Sequence, residues 1–260
     1  MPEIGLALAL WGLVPPARSA ADRPAVEEIV QRLARQAESF WKDLPMVTCK
    51  ETVVQAKLDA RGKRLEERRT VYDYTIALAR EGAGIAIQEF RTPQQEPPGK
   101  PKHSLLVSEG FSTLVLIFHP HFQPSFQFAL APGDSLQEAG VLRIQFTHRE
   151  GMSTPSVLQT RDGNVPIEWT GTAWVDAHSG NVLRIQARLK KPLAALGIEA
   201  LNSDVAYALT DLEGSDHSHL LPQSAVIEAR TSRQQWRNTH RFEAFRRFTV
   251  DVKLQLDVPD

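Results

Sequence analysis

The stretch GTAWVDAHSGNVLRIQARL, residues 171–189, contains two alternating segments with turn residues between them. Alternation of apolar and polar residues is typical of a strand with one buried face. In the second segment the apolar face holds Leu183, Ile185, Ala187 and Leu189. Asp176 can close an Asx turn with its side chain, and Gly180 can supply the positive φ of a short connection. The stretch predicts a β-hairpin with one apolar face.

The same period of two recurs along most of the chain. One strand is predicted from about Met46 to Asp59, a second one ends at about Arg80, and a third runs from Gly84 to Phe90. Further strands are predicted over Leu142–Phe146 and in residues 203–214, 219–230 and 235–250. Residues 24–42 instead carry apolar side chains at helical spacing. No β-α-β rhythm is present, which favours antiparallel pairing. The predicted fold is mainly β (α+β), with one strongly curved antiparallel sheet forming an unclosed half-barrel.

Two helices are expected to accompany this sheet. Residues 24–42 predict an N-terminal amphipathic helix, and FSTLVLIF, residues 111–118, is an apolar run that fits either a buried strand or a helix. We favour a short covering helix there, because the apolar side of a single sheet must be buried against something. The run RTPQQEPPGKPKH, residues 91–103, predicts a long loop.

The N-terminus predicts export. Residues 1–21 carry an apolar core from Ile4 to Val14, then two prolines, then small residues ending at Ala21. This is the layout of a signal peptide cleaved near Ala21, so the protein is expected in the periplasm or outside the cell. The apolar core is too short to span a bilayer, which takes about 20 residues. Residues 22–260 are predicted to form a single domain.

The composition limits the classes of partner and cofactor that we expect. The formal net charge is -1, which gives no field that would attract nucleic acid. The single cysteine, Cys49, excludes an intramolecular disulfide and is expected to be a buried thiol on a strand. No phosphate-binding or dinucleotide-binding glycine motif is present, and no cofactor is predicted. No transmembrane span is expected in the mature chain.

Catalytic signals are weak. Two His-x-His pairs stand out, His119 with His121 and His217 with His219; residues two apart share a face of a strand, so each pair could present two imidazoles to a metal. Asp211 or Asp216 could add a ligand. Neither spacing matches a known metal motif, and no G-x-S-x-G nucleophile elbow occurs. We therefore predict no metal, no catalytic residues and no enzyme activity; a metal-dependent enzyme built on the two His-x-His pairs is the less favoured alternative.

What remains is the space that such a sheet encloses. Apolar pockets of this kind commonly bind hydrophobic ligands, although side chains can also fill the space completely. The residues predicted to line the pocket are Tyr72, Tyr74, Ile76, Leu142, Ile144, Phe146, Trp174, Leu183 and Ile185. A filled core would instead indicate a scaffold or protein-interaction module.

The order of these elements, together with LLPQSAVIEAR (residues 220–230), RFEAFRRF (residues 241–248) and GTAWVDAHSGNVLRIQ (residues 171–186), resembles uncharacterised bacterial envelope proteins of the LolA/LolB-like type. Those lipoprotein carriers wrap an unclosed β-barrel around an apolar cavity under a helical lid. The resemblance implies that residues 24–42 are the N-terminal helix and residues 111–118 a covering helix. It also implies a non-enzymatic carrier of a lipid or acyl chain, with a lipoprotein or another envelope protein as partner.

Overall fold

A computed structural model of the protein describes residues 26–81, 84–95, 99, 102–103, 105–108, 110–131, 140–160 and 163–247. The predicted signal peptide, residues 1–21, lies outside this range, as does part of the predicted loop at 91–103. The elements in chain order are α1 (Val26–Asp43), β1 (Val47–Asp59), β2 (Arg64–Glu81), β3 (Gly84–Pro93), the covering helix (Phe111–Phe118), β4 (Phe126–Leu130), β5 (Val141–His148), β6 (Val157–Thr160), β7 (Gly163–Pro166), β8 (Trp169–Asp176), β9 (Val182–Leu189), β10 (Ile198–Thr210), β11 (His219–Thr231) and β12 (Gln234–Arg247).

Ten of these strands form one antiparallel sheet, in the order β3-β2-β1-β12-β11-β10-β9-β8-β5-β4. Strands β6 and β7 form a separate hairpin. The sheet does not close, because β3 and β4 lie at its two ends and are not neighbours. The predicted fold class is thus confirmed: mainly β, with one large unclosed antiparallel sheet and an N-terminal helix. Strand β1 pairs with β12, so the first and last described strands are adjacent.

The sheet buries one face, which we call the inner face. Helix α1 lies over it with Ile29, Leu33, Ala37 and Phe40 pointing inwards, a spacing of about one helical turn. The covering helix packs beside α1, as predicted for residues 111–118, but it is a 3₁₀ helix along its whole length. None of the helices in the described ranges combines the length and apolar character needed to cross a membrane.

The end of β3 and three short strands differ from the prediction. Strand β3 continues to Pro93, which pairs with Tyr72, so the loop predicted from Arg91 begins later. Proline is tolerated there because β3 is an edge strand and needs no outward hydrogen bond. Strand β4 and the β6–β7 hairpin were not predicted, since their short segments of four or five residues offer too little alternation to detect.

The hairpin β8–β9 has the predicted turn. The Asp176 carboxylate accepts hydrogen bonds from the backbone N–H of His178 at 3.1 Å and of Ser179 at 2.7 Å. Gly180 adopts a φ of +75°, and a Cβ built on it would lie 2.7 Å from the Cβ of Arg32. Arg32 also donates to the carbonyl of Ala177 at 2.8 Å. The turn is therefore packed directly against α1.

Gly180→Ala tests this packing, with Gly151→Ala as its control. Both glycines have nearly the same φ, +75° and +74°, but a Cβ at Gly151 meets nothing within 4 Å. We expect Gly180→Ala to lower the free energy of unfolding by about 1–3 kcal/mol more than Gly151→Ala, because it overpacks the contact with Arg32. Urea titration of both variants measures the difference. Equal losses would show that the turn does not depend on close approach to α1.

Candidate functional site

A group of polar side chains lies on the inner face of strands β1, β3 and β12. The period of two brings Cys49, Glu51 and Val53 of β1 to this face, and the register sets Glu51 opposite Phe242 and Val53 opposite His240. On β3, Arg91 lies opposite Tyr74 and Glu89 opposite Ile76. We call Glu51, Glu89, Arg91 and His240 the polar cluster.

Glu51 is the centre of the polar cluster, and its side chain is 0% exposed. Arg91 donates to it through Nε at 2.5 Å and through Nη2 at 3.1 Å. The ring Nδ1 of His240 lies 2.7 Å from Glu51 Oε1. Arg91 Nη2 is also 2.8 Å from Glu89 Oε2, and the guanidinium stacks over the ring of Tyr74 at 5.1 Å. The buried carboxylate is therefore compensated by side chains from β12, which neighbours β1, and from β3, which lies beyond β2.

Burial and neighbouring charges shift the pKa values of Glu51, Arg91 and Cys49. Burial alone would raise the pKa of Glu51, but hydrogen bonds from His240 and Arg91 outweigh it and hold the pKa below its usual value of 4.5. Burial alone would lower the pKa of Arg91, but the hydrogen bond to Glu51 and the charges of Glu89 and Glu51 outweigh burial, so the pKa of Arg91 is raised. Burial, with the adjacent Glu51 charge, raises the pKa of Cys49 to about 12. The thiol is thus protonated and unreactive at neutral pH, as expected for a structural cysteine.

The polar cluster is joined to the segment that covers it. We call residues 105–108 and 110–118 the cover. Ser108 Oγ lies 2.8 Å from Nε2 of His240 and accepts from Nδ2 of Asn238 at 2.7 Å. The carbonyl of Leu106 accepts from Asn238 at 2.9 Å and from Gln55 at 2.7 Å. The first part of the cover is therefore bound through polar atoms to β1 and β12.

The second part of the cover is bound to Glu89. Gly110, with a φ of 76°, donates its backbone N–H to Glu89 Oε1 at 2.8 Å, and the Ser112 hydroxyl lies 3.2 Å from the same oxygen. Tyr74 Oη is 2.8 Å from Ser112 Oγ. From Leu114 to Phe118 the covering helix is apolar, and these five side chains are at most 1% exposed. The cover thus combines polar anchors with a fully buried apolar end.

Ser108, His240 and Glu51 have the connectivity of a nucleophile, a base and an orienting carboxylate. Ser108 belongs to the cover and is 6% exposed, its oxygen already accepts from Asn238, and the N–H of Gly110 is directed at Glu89 and not at Ser108. These contacts attach the cover to β12 and β3. Sequence reasoning missed this group because it has no local motif. The available signal was that Glu51 shares a strand face with Cys49, which was expected to be buried.

The residues predicted to line a pocket divide into two groups. Tyr74, Ile76, Ile144, Phe146 and Ile185 are buried on the inner face, with Tyr72 and Leu142 half-buried beside them. Trp174 and Leu183 do not belong with them. Trp174 lies between the buried Ala173 and Val175, so alternation turns it to the outer face, where Arg184 stacks on its ring at 5.3 Å.

Leu183 is 37% exposed, and the prediction that it shares a face with Ile185 is wrong. The pairing changes register here, because Trp174 pairs with Arg184 but Val175 pairs with Val182. Leu183 is thus the extra residue of a β-bulge, which reverses the faces of the residues before it. Val182 occupies the inner position instead.

The two His-x-His pairs have different surroundings in the structure. His217 and His219 both face Asp43, at the end of α1. His217 also lies 2.8 Å from Asp216, as the sequence suggested, whereas neither histidine is paired with Asp211 within the described residues. His119 and His121 pack beside aromatic rings, His119 against Trp41 and His121 against Phe122. Within the described residues, the group with the geometry of a metal site contains only Asp43, His217 and His219.

A groove of about 390 Å³ opens on the outer face, across strands β8 to β12. Its lining includes Thr172, Arg188, Asn202, Asp204 and Arg237. Because these side chains are polar, the groove is not the apolar pocket expected on the inner face.

Comparison with solved structures finds chains of similar structure. The chain resembles the crystal structure of a DUF1329 family protein from Desulfovibrio piger, with a TM-score of 0.42 and 11% sequence identity, over 88% of this chain and 95% of that one. No family model matches the sequence. No curated protein matches it.

The pKa of Glu51 sets an expectation for acid stability. Its folded pKa is lowered, so the stability contributed by the carboxylate is present above about pH 4.5 and is lost as the pH falls through the folded pKa. At pH 7 we expect Glu51→Gln to cost about 3 kcal/mol in the free energy of unfolding, because it leaves buried partners uncompensated. The difference from the unmutated protein should shrink below pH 4.5.

Glu199→Gln is the matched control for this experiment. Glu199 is 48% exposed and pairs with Arg230 at 3.6 Å, so its loss should cost less than about 1 kcal/mol. Urea unfolding from pH 7 to pH 3 measures both variants. A pH-independent difference for Glu51→Gln would contradict the role given to the carboxylate charge.

Proposed function

We propose that the protein is a non-enzymatic envelope protein that binds a lipid, an acyl chain or a similar hydrophobic ligand against the inner face of its sheet. The observation that carries this proposal is the cover. Five consecutive apolar residues, Leu114 to Phe118, are buried on the inner face, yet the segment before them is attached through hydrogen bonds to polar side chains. An apolar end with polar anchors is suited to being displaced as a unit.

Burial of the covering helix and burial of an acyl chain contribute comparable free energies. Full burial of a Val, Leu, Ile or Phe side chain contributes about 1.5–3 kcal/mol, so the five residues of the covering helix contribute about 8–15 kcal/mol. An acyl chain of about 14 methylenes, at about 0.8 kcal/mol each, would contribute about 11 kcal/mol. Apolar burial alone does not favour either occupant strongly. The polar anchors of the cover therefore decide whether the inner face is covered or open to ligand.

The resemblance of the sequence to LolA/LolB-like carriers supports the choice of ligand, since those carriers hold acyl chains under a helical lid. The layout of residues 1–21 supports a location in the periplasm or outside the cell. If the protein is exported as proposed, N-terminal sequencing of the chain recovered from the envelope fraction should begin at Asp22. A chain starting at Met1 in the cytosolic fraction would contradict the proposed location.

The ligand is tested by native mass spectrometry of the protein purified from bacterial cells, followed by lipid extraction. We expect a co-purifying lipid at defined stoichiometry, recovered intact rather than as hydrolysis products. Hydrolysed products that depend on Ser108 would contradict binding without catalysis. A ligand-free mass that does not change when fatty acids or lipopeptides are added would contradict ligand binding itself.

Release of the cover is tested with Glu89→Ala. This change removes the acceptor for Gly110 and Ser112, and hydrogen bonds to a charged group contribute about 1.5–3 kcal/mol. The population of open cover should rise about tenfold or more, since 1.4 kcal/mol is a factor of ten. Stopped-flow uptake of a fluorescent fatty acid should accelerate accordingly.

Glu228→Ala is the matched control, because Glu228 is exposed on the outer face and pairs with Arg237 at 3.6 Å. It should leave uptake unchanged. Equal uptake by both variants would show that the cover does not gate access to the inner face.

A filled interior favours a second candidate, a scaffold or protein-interaction module of the cell envelope. Trp169, Ile144, Val205 and Ile185 on the inner face are all 0% exposed with the cover in place. In that case the cover is a permanent part of the core, and Glu89→Ala should lower stability without producing ligand uptake. Thermal unfolding measured beside the uptake experiment separates the two functions.

A further inference from the structure

Three potential metal ligands meet where α1 ends. Asp43 is the last residue of α1; His217, in the loop between β10 and β11, and His219, the first residue of β11, lie beside it. Asp43 Oδ2 lies 3.0 Å from Nδ1 of His219 and 3.6 Å from Nε2 of His217. One ligand atom from each of the three residues lies within 4.8 Å of the others. Sequence reasoning paired these histidines with Asp211 or Asp216, because Asp43 is distant in the chain.

His219 is held by its neighbour Ser215. Ser215 Oγ lies 2.7 Å from Nε2 of His219 and 3.0 Å from the carbonyl oxygen of His217. Because Nε2 is in contact with Ser215, Nδ1 is the nitrogen of His219 that faces Asp43. Nδ1 is buried and has no hydrogen-bond partner, and the whole residue is 3% exposed.

The ring of His217 is held by Asp216. Its Nδ1 lies 2.8 Å from the Asp216 carboxylate, and its Nε2 lies 3.6 Å from Asp43 Oδ2. In metal sites, a ligating histidine almost always donates its other N–H to a carboxylate, a carbonyl or water, which fixes the ring. Asp216 and Ser215 occupy those supporting positions here. The other nitrogen of each ring thus faces one carboxylate oxygen.

The spacing suits a tetrahedral ion. Zinc binds histidine nitrogen and carboxylate oxygen at about 2.0–2.1 Å, which places neighbouring ligand atoms of a tetrahedron roughly 3.3 Å apart. The two distances from Asp43 lie on either side of that value. Hard cations such as Ca²⁺ take six to eight oxygen ligands, which this group does not offer. Two imidazoles and one carboxylate are a donor set that Zn²⁺ accepts.

We propose that Asp43, His217 and His219 form a Zn²⁺ site, with water in the fourth position, that fastens the end of α1 to the loop between β10 and β11. His217 has a side chain 55% exposed, so the fourth position faces solvent. The ion would give the buried Nδ1 of His219 a partner and join two elements of the fold. This site shares no residue with the polar cluster or the cover and does not depend on the proposed ligand.

The test uses the full chain without a polyhistidine tag, stripped with a chelator and titrated with Zn²⁺ in a calorimeter. We expect one zinc per chain. Asp43→Asn and His217→Ala should each weaken binding at least tenfold; both residues are more exposed than His219, so these variants are suited to retain the fold, which circular dichroism checks. Ser215→Ala should weaken binding by about tenfold through loss of ring positioning.

His121→Ala is the control, because His121 is an exposed histidine of the other pair and lies beside Phe122. It should bind zinc like the unmutated protein. As a second readout, zinc should slow amide hydrogen exchange at the end of α1 in the unmutated protein and not in His217→Ala. Absence of stoichiometric binding, or equal losses in His121→Ala and His217→Ala, would overturn the proposal and leave a simple histidine–aspartate ion pair.

Discussion

The structure depends on the compensation of one buried carboxylate. Glu51 is fully enclosed, and an isolated charge in that position would be too costly to keep. Its partners come from β3 and β12, and the same residues or their neighbours hold the cover. Strand pairing, the position of the cover and the burial of the apolar core are consequently linked. A change at Glu51 affects all three, whereas a change in the apolar core acts mainly by packing.

The neighbours of Glu51 show why the inner face has a polar region and an apolar region. Around Ile144, Phe146 and Ile185 the face is covered by side chains that pack without direction. Near Glu51 and Arg91 the contacts are directional, since each donor must meet an acceptor. The apolar region allows one hydrophobic occupant to replace another. The polar region specifies which segment of the chain lies there.

The order of elements, the N-terminal helix, the covering helix and the hairpin with its Asp176 turn were predictable from local patterns, because each depends on residues a few positions apart. The faces of some strands were not. In β1 the alternation of Val54, Ala56 and Leu58 favours that set as the buried one, yet the structure buries the opposite set with Glu51 and Lys57. The β-bulge at Leu183 was also not predictable from the sequence of β9 alone, because it depends on how β9 pairs with β8. The polar cluster and the group at Asp43 could not be predicted because their members are distant in sequence.

The pairing of β1 with β12 has a consequence for the order of events in the cell. Glu51 and His240 are 189 positions apart, and the strands that carry them are neighbours inside the sheet rather than at its edge. Until the last strand has left the ribosome, β1 lacks one of its two neighbours and the carboxylate lacks one of its partners. Contacts between such distant segments also form slowly, because a long loop must close first. The nascent chain therefore stays incompletely folded for longer than one built from local contacts, and this is the condition in which a polypeptide can still be threaded through a narrow translocation channel.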